Sequence, residues 1–175
     1  MKIDMDLSAV NDFFDRVQTP AFQENIKEAI GLLIDAASII FIGVGNSAII
    51  GKYGARYFNS VGWLSFSIDD PFTPVFRGKG EKTATVALSV SGETEQTIEL
   101  AEKLKRRGSS LISITNKANC SLARMSDCNI NYYIPSYIQE NGSYDLTSQM
   151  AVVFILEMIG RELKGIYNNK GNLLN

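Results

Sequence analysis

The stretch from Thr85 to Thr94 constrains the fold of this chain more than any other. It reads TVALSVSGET, an apolar run that ends in hydroxyls and a glycine. Apolar residues then recur at helical spacing (Ile98, Ala101, Leu104), so the pattern predicts a buried strand, a tight turn and an α-helix. In such a unit the free N–H groups of the first helical turn lie above the carboxyl end of the strand. At that position the free N–H groups and the helix dipole favour binding of an anion, commonly a phosphate.

Hydroxyl groups and a glycine fill the predicted turn. Ser89, Ser91 and Thr94 offer neutral hydrogen-bond donors to a phosphate. Gly92 lets the backbone approach a ligand closely, because it has no Cβ atom. The competing interpretation is that Ser91 or Thr94 only caps the helix, since serine and threonine are ordinary N-cap residues. The clustering of these residues at one strand end favours a ligand site.

A second unit of the same kind lies earlier in the chain. Residues 38–44 read SIIFIGV, a continuous apolar run typical of a strand buried on both faces of a parallel sheet. The sequence GVGNS then leads into a helix, and it places Gly45, Asn46 and Ser47 at the strand end. Because the carboxyl ends of parallel strands lie along one edge of a sheet, we expect these residues beside the same ligand.

The two glycines of this second turn also resemble the start of a dinucleotide-binding fingerprint. That fingerprint needs an acidic residue about 20 positions further on, at the end of a second strand. The nearest candidates, Asp69 and Asp70, come later and stand beside Pro71, where the pattern favours a turn over a metal site. A nucleotide site is therefore the weaker alternative.

The alternation of strands and helices predicts an α/β fold. We expect a three-layer αβα sandwich around a five-stranded parallel sheet. The length of 175 residues fits one domain spanning 1–175. Within it we distinguish N-terminal helices (1–36), a core (37–165) and a loose tail (166–175).

The last helix is predicted over residues 144–163, with Gly165 as its stop. Between Met150 and Ile159 it is apolar on nearly all sides, which favours contact with a second subunit as well as with the core. This pattern argues against a monomer.

Composition excludes several classes of function. The chain has no histidine, so histidine-based acid–base catalysis, histidine metal ligands and Ser-His or Cys-His nucleophile pairs are excluded within it. A formal net charge of −2 gives no reason to expect direct nucleic-acid binding or attraction to a membrane surface. With two cysteines, no secretory signal and no apolar run of spanning length, a cytoplasmic protein is expected. No metal and no cofactor are predicted.

With both turns in view, the chain resembles the sugar isomerase (SIS) domain family. GVGNS at 43–47 and SVSGET at 89–94 each follow an apolar strand, in the order and spacing of that family. The resemblance extends from about Phe22 to Leu163 and implies a flavodoxin-like SIS fold. It also implies a homodimer or homotetramer with the site near a subunit interface.

The resemblance assigns roles to the residues of the two turns. It implies a phosphosugar site in which Ser89, Ser91 and Thr94 hold the phosphate and Ser47 lies beside it. The stretch LTSQMA at 146–151 is similar to the last helix of the effector domain of RpiR-type transcriptional regulators, and Ser148 is added to the predicted ligand contacts on that basis.

The N-terminal residues 1–36 are too short for the DNA-binding domain with which RpiR-type regulators begin, and they are not basic. The sequence therefore predicts either an effector module standing alone or a part of a longer regulator.

Departures from the family pattern bear on catalysis. Asn46 stands where the arabinose-5-phosphate isomerases of the family carry lysine, and Gln149 where hexulose-phosphate isomerases carry glutamate. An aldose–ketose isomerase needs a base that moves a proton between C1 and C2, and Glu140, in a polar loop, is the candidate. We expect a protein that senses or binds a sugar phosphate, with a sugar-phosphate isomerase as the alternative.

Overall fold

The computed structural model describes residues 7–70, 72–74, 81–138 and 145–172 of the chain. Within these ranges, two N-terminal helices are followed by alternating strands and helices, except that the second and third strands follow one another with no described helix between them. The elements are α1 (Ser8–Val17), α2 (Pro20–Ile34), β1 (Ser38–Ile42), α3 (Asn46–Ser60), β2 (Ser65–Ile68), β3 (Thr83–Ser89), α4 (Glu95–Arg106), β4 (Ser110–Thr115), α5 (Ser121–Met125), β5 (Cys128–Asn131) and α6 (Met150–Asn172).

The five strands form one sheet in the order β2-β1-β3-β4-β5, and all neighbouring pairs are parallel. The prediction of a five-stranded parallel sheet is confirmed. The strand order reverses between β1 and β3, because the chain goes to one side of β1 for β2 and to the other side for β3. A crevice for ligands forms at such a reversal, outside the carboxyl ends of the two strands. The two predicted turns follow these two strands.

Each face of the sheet has its own core, because successive strand residues point to opposite faces. On one face, Phe41 of β1 packs edge-on against Phe58 of α3 at 5.1 Å between ring centroids, in a cluster that includes α1, α2 and α6. On the other face, Ile40 and Ile42 pack with Leu104 of α4 and with α5. Burying side chains of this size stabilises the fold by about 1.5–3 kcal/mol each. The three predicted layers are confirmed.

The last helix begins later than predicted. Asp145 forms an isolated β-bridge with Ile138, and its carboxylate accepts the N–H of Thr147 at 2.9 Å. These contacts hold residues 145–149 in a non-helical conformation, so the predicted start at 144 is wrong for this segment and α6 begins at Met150.

The last helix also ends later than predicted, at Asn172. Gly165 does not adopt the left-handed conformation that commonly ends a helix. The ring of Tyr167 contacts that of Trp63 at 5.9 Å between centroids, which holds the extended helix against the fold. Residues 166–172, which were predicted as part of a loose tail over 166–175, are helical, and 173–175 lie outside the described residues.

The aspartate pair after β2 forms the predicted turn. The carboxylate of Asp70 accepts the N–H of Phe72 at 2.9 Å. Asp69 pairs with the Lys52 ammonium at 2.6 Å, and that contact holds the pKa of Asp69 below its usual range. Across the described ranges, no three His, Cys, Asp or Glu side chains gather closely enough to hold a metal ion.

None of the helices in the described part of the chain is both long and apolar enough to span a membrane.

Candidate functional site

Residues 89–94, which we call the hydroxyl loop, are held in shape by their own side chains. The Ser89 hydroxyl accepts the N–H of Gly92 at 3.0 Å and shares a hydrogen bond with the Thr94 hydroxyl at 3.1 Å. The Ser91 hydroxyl accepts the N–H two residues further on at 3.1 Å. These bonds leave the Ser91 proton, and one proton of the Ser89–Thr94 pair, available to a ligand.

The hydroxyl loop leads into α4 without capping it. Thr94 occupies the N-cap position, but its side chain makes no capping hydrogen bond. The interpretation of Thr94 as a simple helix cap is therefore wrong. The N–H groups of the first helical turn, from Glu95 to Thr97, have no acceptor within the helix. They can serve an anion placed above the strand end.

The turn after β1 presents a second helix start of the same kind. Gly45 has φ of +59°, a left-handed conformation that glycine adopts without strain, and it precedes α3 without a side-chain cap. Ser47 is buried in the first turn of α3, and Asn46 is exposed beside it. The backbone thus brings an amide and a hydroxyl to the edge of the sheet next to the hydroxyl loop.

The two turns meet in a pocket of about 430 Å³, a volume in the range of small-molecule sites. Asp145 and Gln149, from the segment before α6, complete its wall. Five of the residues predicted for the site line this pocket: Gly45, Asn46, Ser47, Ser91 and Thr94.

The other predicted site residues lie elsewhere. Ser89 and Gly92 are buried and shape the hydroxyl loop without lining the pocket. Ser148 does not line the pocket either. Its hydroxyl accepts the N–H of Met150 at 3.3 Å, and its neighbour Gln149 lies in the wall instead. Glu140, the candidate base, lies outside the described residues.

Asp145 is the charged residue of the described lining, and it was not among the predicted site residues. Its carboxylate is held by the Thr147 N–H, and the Thr147 hydroxyl in turn accepts the N–H of Tyr137 at 2.9 Å. No lysine or arginine of the described residues pairs with this carboxylate. Burial, and secondarily the negative charge of Asp145, raise the pKa of Tyr132, whose buried hydroxyl has no hydrogen-bond partner in the described part of the chain. The only sequence signal for Asp145 was its place in a polar stretch before an apolar helix.

Relatives of known sequence are about 27–31% identical to this chain over the segments that align with it. An uncharacterized protein of Archaeoglobus fulgidus is 31% identical over 121 residues, 69% of this chain and 64% of that protein. An uncharacterized HTH-type transcriptional regulator of Clostridium perfringens is 27% identical over 75% of this chain and 47% of its own length. A probable arabinose 5-phosphate isomerase of Haemophilus influenzae is 27% identical over 74% of this chain and 40% of its own length. The chain thus spans two thirds or less of these relatives.

Solved structures show the same fold. Vibrio vulnificus NanR complexed with ManNAc-6P superposes with a TM-score of 0.75 and 20% identity, covering 94% of this chain and 63% of NanR. The sugar isomerase domain of an RpiR transcription factor from Sphaerobacter thermophilus superposes with a TM-score of 0.71 and 16% identity. The match covers 90% of this chain and 84% of that structure.

The SIS domain family matches residues 32–157, well over half of the chain, and the match includes both turns that line the pocket. The resemblance stated from GVGNS and SVSGET is confirmed: the chain belongs to the SIS domain family.

Proposed function

We propose that this chain binds a sugar phosphate, as a sensing or binding module. The hydroxyl loop and the first turn of α4 hold the phosphate, with the hydroxyls of Ser47, Ser91 and Thr94 as donors. The observation that supports this most directly is the convergence of two uncapped helix starts and these hydroxyls on one pocket. Hydrogen bonds from such donors to a charged group contribute about 1.5–3 kcal/mol each.

The charge of the pocket suits a ligand that joins an anion to a polyol. Among the described lining residues, Asp145 is the one charged side chain, so the phosphate is bound by neutral donors and helix starts. Asp145 and Gln149 offer oxygen acceptors to the hydroxyls of a sugar. The relatives support this assignment, since NanR was solved with ManNAc-6P and one relative is named for arabinose 5-phosphate.

We further propose that the protein acts in the cytoplasm as a homodimer or homotetramer, with the pocket near the subunit interface. Ile49 and Tyr53 on α3 are large apolar side chains exposed one and two turns beyond the pocket residues, and a second subunit would cover them. Light scattering of the purified chain tests this, and a monomer at micromolar concentration would contradict it.

The direct test is a binding screen of sugar phosphates, amino-sugar phosphates and NAD. A sugar phosphate present at a hundred times its dissociation constant should stabilise the protein by about 2.7 kcal/mol, or roughly 5–10 °C in melting temperature. Ser91→Ala should weaken that binding roughly tenfold or more, because it removes a hydroxyl donor to a charged group. Calorimetric titration measures the change.

Ser60→Ala provides the matched control for this substitution. Its hydroxyl bonds the Arg56 carbonyl at 3.0 Å in the last turn of α3, at the opposite end of that helix from the pocket. The proposal fails if no sugar phosphate shifts the melting temperature. A shift with NAD alone would instead favour the dinucleotide interpretation of the first turn.

A sugar-phosphate isomerase is the second candidate, because a carboxylate lines the pocket. Asp145 is held by its bond to Thr147 and can move a proton between C1 and C2 of an open-chain sugar phosphate. The ligand identified by the screen should then be converted between aldose and ketose, and Asp145→Asn should lower the rate roughly a hundredfold while the ligand still binds. Proton NMR of the incubated ligand measures both. If the unmodified protein shows no turnover, the isomerase proposal fails and the proposal of a binding module remains.

A further inference from the structure

The hydroxyl loop is tied to a distant part of the chain. The Asn116 N–H donates to the Val90 carbonyl at 3.0 Å, and the Leu122 N–H donates to the Gly92 carbonyl at 3.0 Å. Both donors belong to the segment 116–122, which runs from the end of β4 into the first turn of α5. The shape of the hydroxyl loop therefore depends on this second segment as well as on its own hydroxyls.

Glu93 adds a third link, which its side chain makes. Its carboxylate Oε1 accepts the N–H of Ser121 at 2.9 Å, although the two residues are 28 positions apart. The side chain of Ser121 is the main cause that lowers the pKa of Glu93, and the hydrogen bond from the Ser121 N–H and the positive charges of Arg124 and Lys117 lower it further. The carboxylate is thus ionised and held at the start of α5.

The direction of this carboxylate matters because the loop beside it is proposed to bind an anion. A carboxylate facing the phosphate would repel it, yet Glu93 does not line the pocket. Its negative charge is instead offset by Arg124 of α5 and by Lys117 in the segment before that helix. The residue can therefore join two segments without opposing the ligand.

Cys120 lies directly beneath the loop that Glu93 holds. A Cβ atom on Gly92 would lie 2.1 Å from the Cys120 sulfur, so the loop backbone is pressed against this side chain. Cys120 is 1% exposed in consequence. Any loosening of the loop should uncover this thiol, which makes it a reporter of loop position that needs no ligand.

We infer that Glu93 is a positioning residue: through the Ser121 N–H it holds the hydroxyl loop in the shape that binds phosphate. The ligand in this inference rests on the proposed function, whereas the link between loop and α5 does not. Glutamine at position 93 offers an amide oxygen to the same N–H, and alanine offers none. Comparing the two substitutions therefore separates the effect of the hydrogen bond to Ser121 from the effect of the negative charge.

The experiment compares Glu93→Ala and Glu93→Gln, with Glu99→Ala as the control on an exposed carboxylate of α4. One readout is the dissociation constant for inorganic phosphate and for the sugar phosphates of the screen. The other is the rate at which a maleimide labels Cys120, located by mass spectrometry. Cys128, the second thiol, is also buried, and burial is the main cause that raises its pKa to about 12, so it should react slowly.

We expect Glu93→Ala to weaken binding roughly tenfold and to speed labelling of Cys120 by a similar factor. Glu93→Gln and Glu99→Ala should change the dissociation constant and the labelling rate of Cys120 by less than about twofold. Equal effects of alanine and glutamine would overturn the inference, because charge and not the hydrogen bond would then matter. Unchanged labelling in Glu93→Ala would overturn it as well. If the unmodified protein binds none of the phosphates while labelling still rises in Glu93→Ala, the proposed function fails and the link stands.

Discussion

Replacing Gly92 with alanine is expected to destabilise the protein by about 3 kcal/mol and to abolish binding of the sugar phosphate. The new Cβ atom would lie 2.1 Å from the Cys120 sulfur and 2.7 Å from its Cβ atom, distances that no rotamer change of the buried cysteine relieves in full. Gly92 also has φ of +69°, where an alanine is strained. Both effects push the hydroxyl loop away from the shape that presents Ser91 and Thr94. Urea denaturation measures the loss of stability, and calorimetric titration measures the loss of binding.

Gly62→Ala separates the two causes. Gly62 has φ of +104°, but no heavy atom lies within 4 Å of the position that a Cβ atom would take there, and the residue is at the far end of α3 from the pocket. Its substitution should cost only the backbone strain, about 1–2 kcal/mol, and leave ligand affinity unchanged. Adding Cys120→Ala to Gly92→Ala removes the nearest clashing atom and should restore part of the stability. Equal losses for Gly92→Ala and Gly62→Ala would contradict the steric argument.

The part of the site that follows β1 and β3 could be predicted, because its signals are local. An apolar run that stops at a glycine or a hydroxyl marks a strand end, and parallel strands place their carboxyl ends together. Ser47 and Ser91 are 44 positions apart, yet these two rules were enough to place them in one pocket.

The wall formed by Asp145 and Gln149 could not be predicted, because it depends on contacts between distant segments. The isolated bridge from Asp145 to Ile138 delays α6 until Met150. A helix over 144–163 would have placed residues 145–149 differently from the non-helical segment that brings Gln149 into the wall. The link from Glu93 to Ser121 was missed for the same reason, since no local pattern relates residues so far apart.

Asn116→Ala is expected to destabilise the protein by about 3 kcal/mol. Asn116 is 3% exposed, and its side-chain amide clamps the backbone of Ile134: Nδ2 donates to the carbonyl at 2.6 Å, and Oδ1 accepts the N–H. Alanine would leave both backbone groups buried without a partner, at about 1–3 kcal/mol each before relaxation. Asn119→Ala is the control, because that exposed side chain accepts a hydrogen bond from the Arg124 guanidinium and holds no buried backbone group of the described residues. Urea denaturation should show a lower free energy of unfolding for Asn116→Ala and little change for Asn119→Ala.

Asn116→Ala should also affect the two parts of the pocket differently: the wall that faces the sugar and the hydroxyl loop. Ile134 begins the segment that leads through Tyr137 to Thr147, which holds the Asp145 carboxylate, so releasing Ile134 loosens the wall that faces the sugar. The hydroxyl loop keeps its bond from Asn116, because that donor is a backbone N–H. Affinity for the sugar phosphate should therefore fall roughly tenfold while affinity for inorganic phosphate changes by less than about twofold. A parallel fall for both ligands would show that the wall and the loop move as one unit.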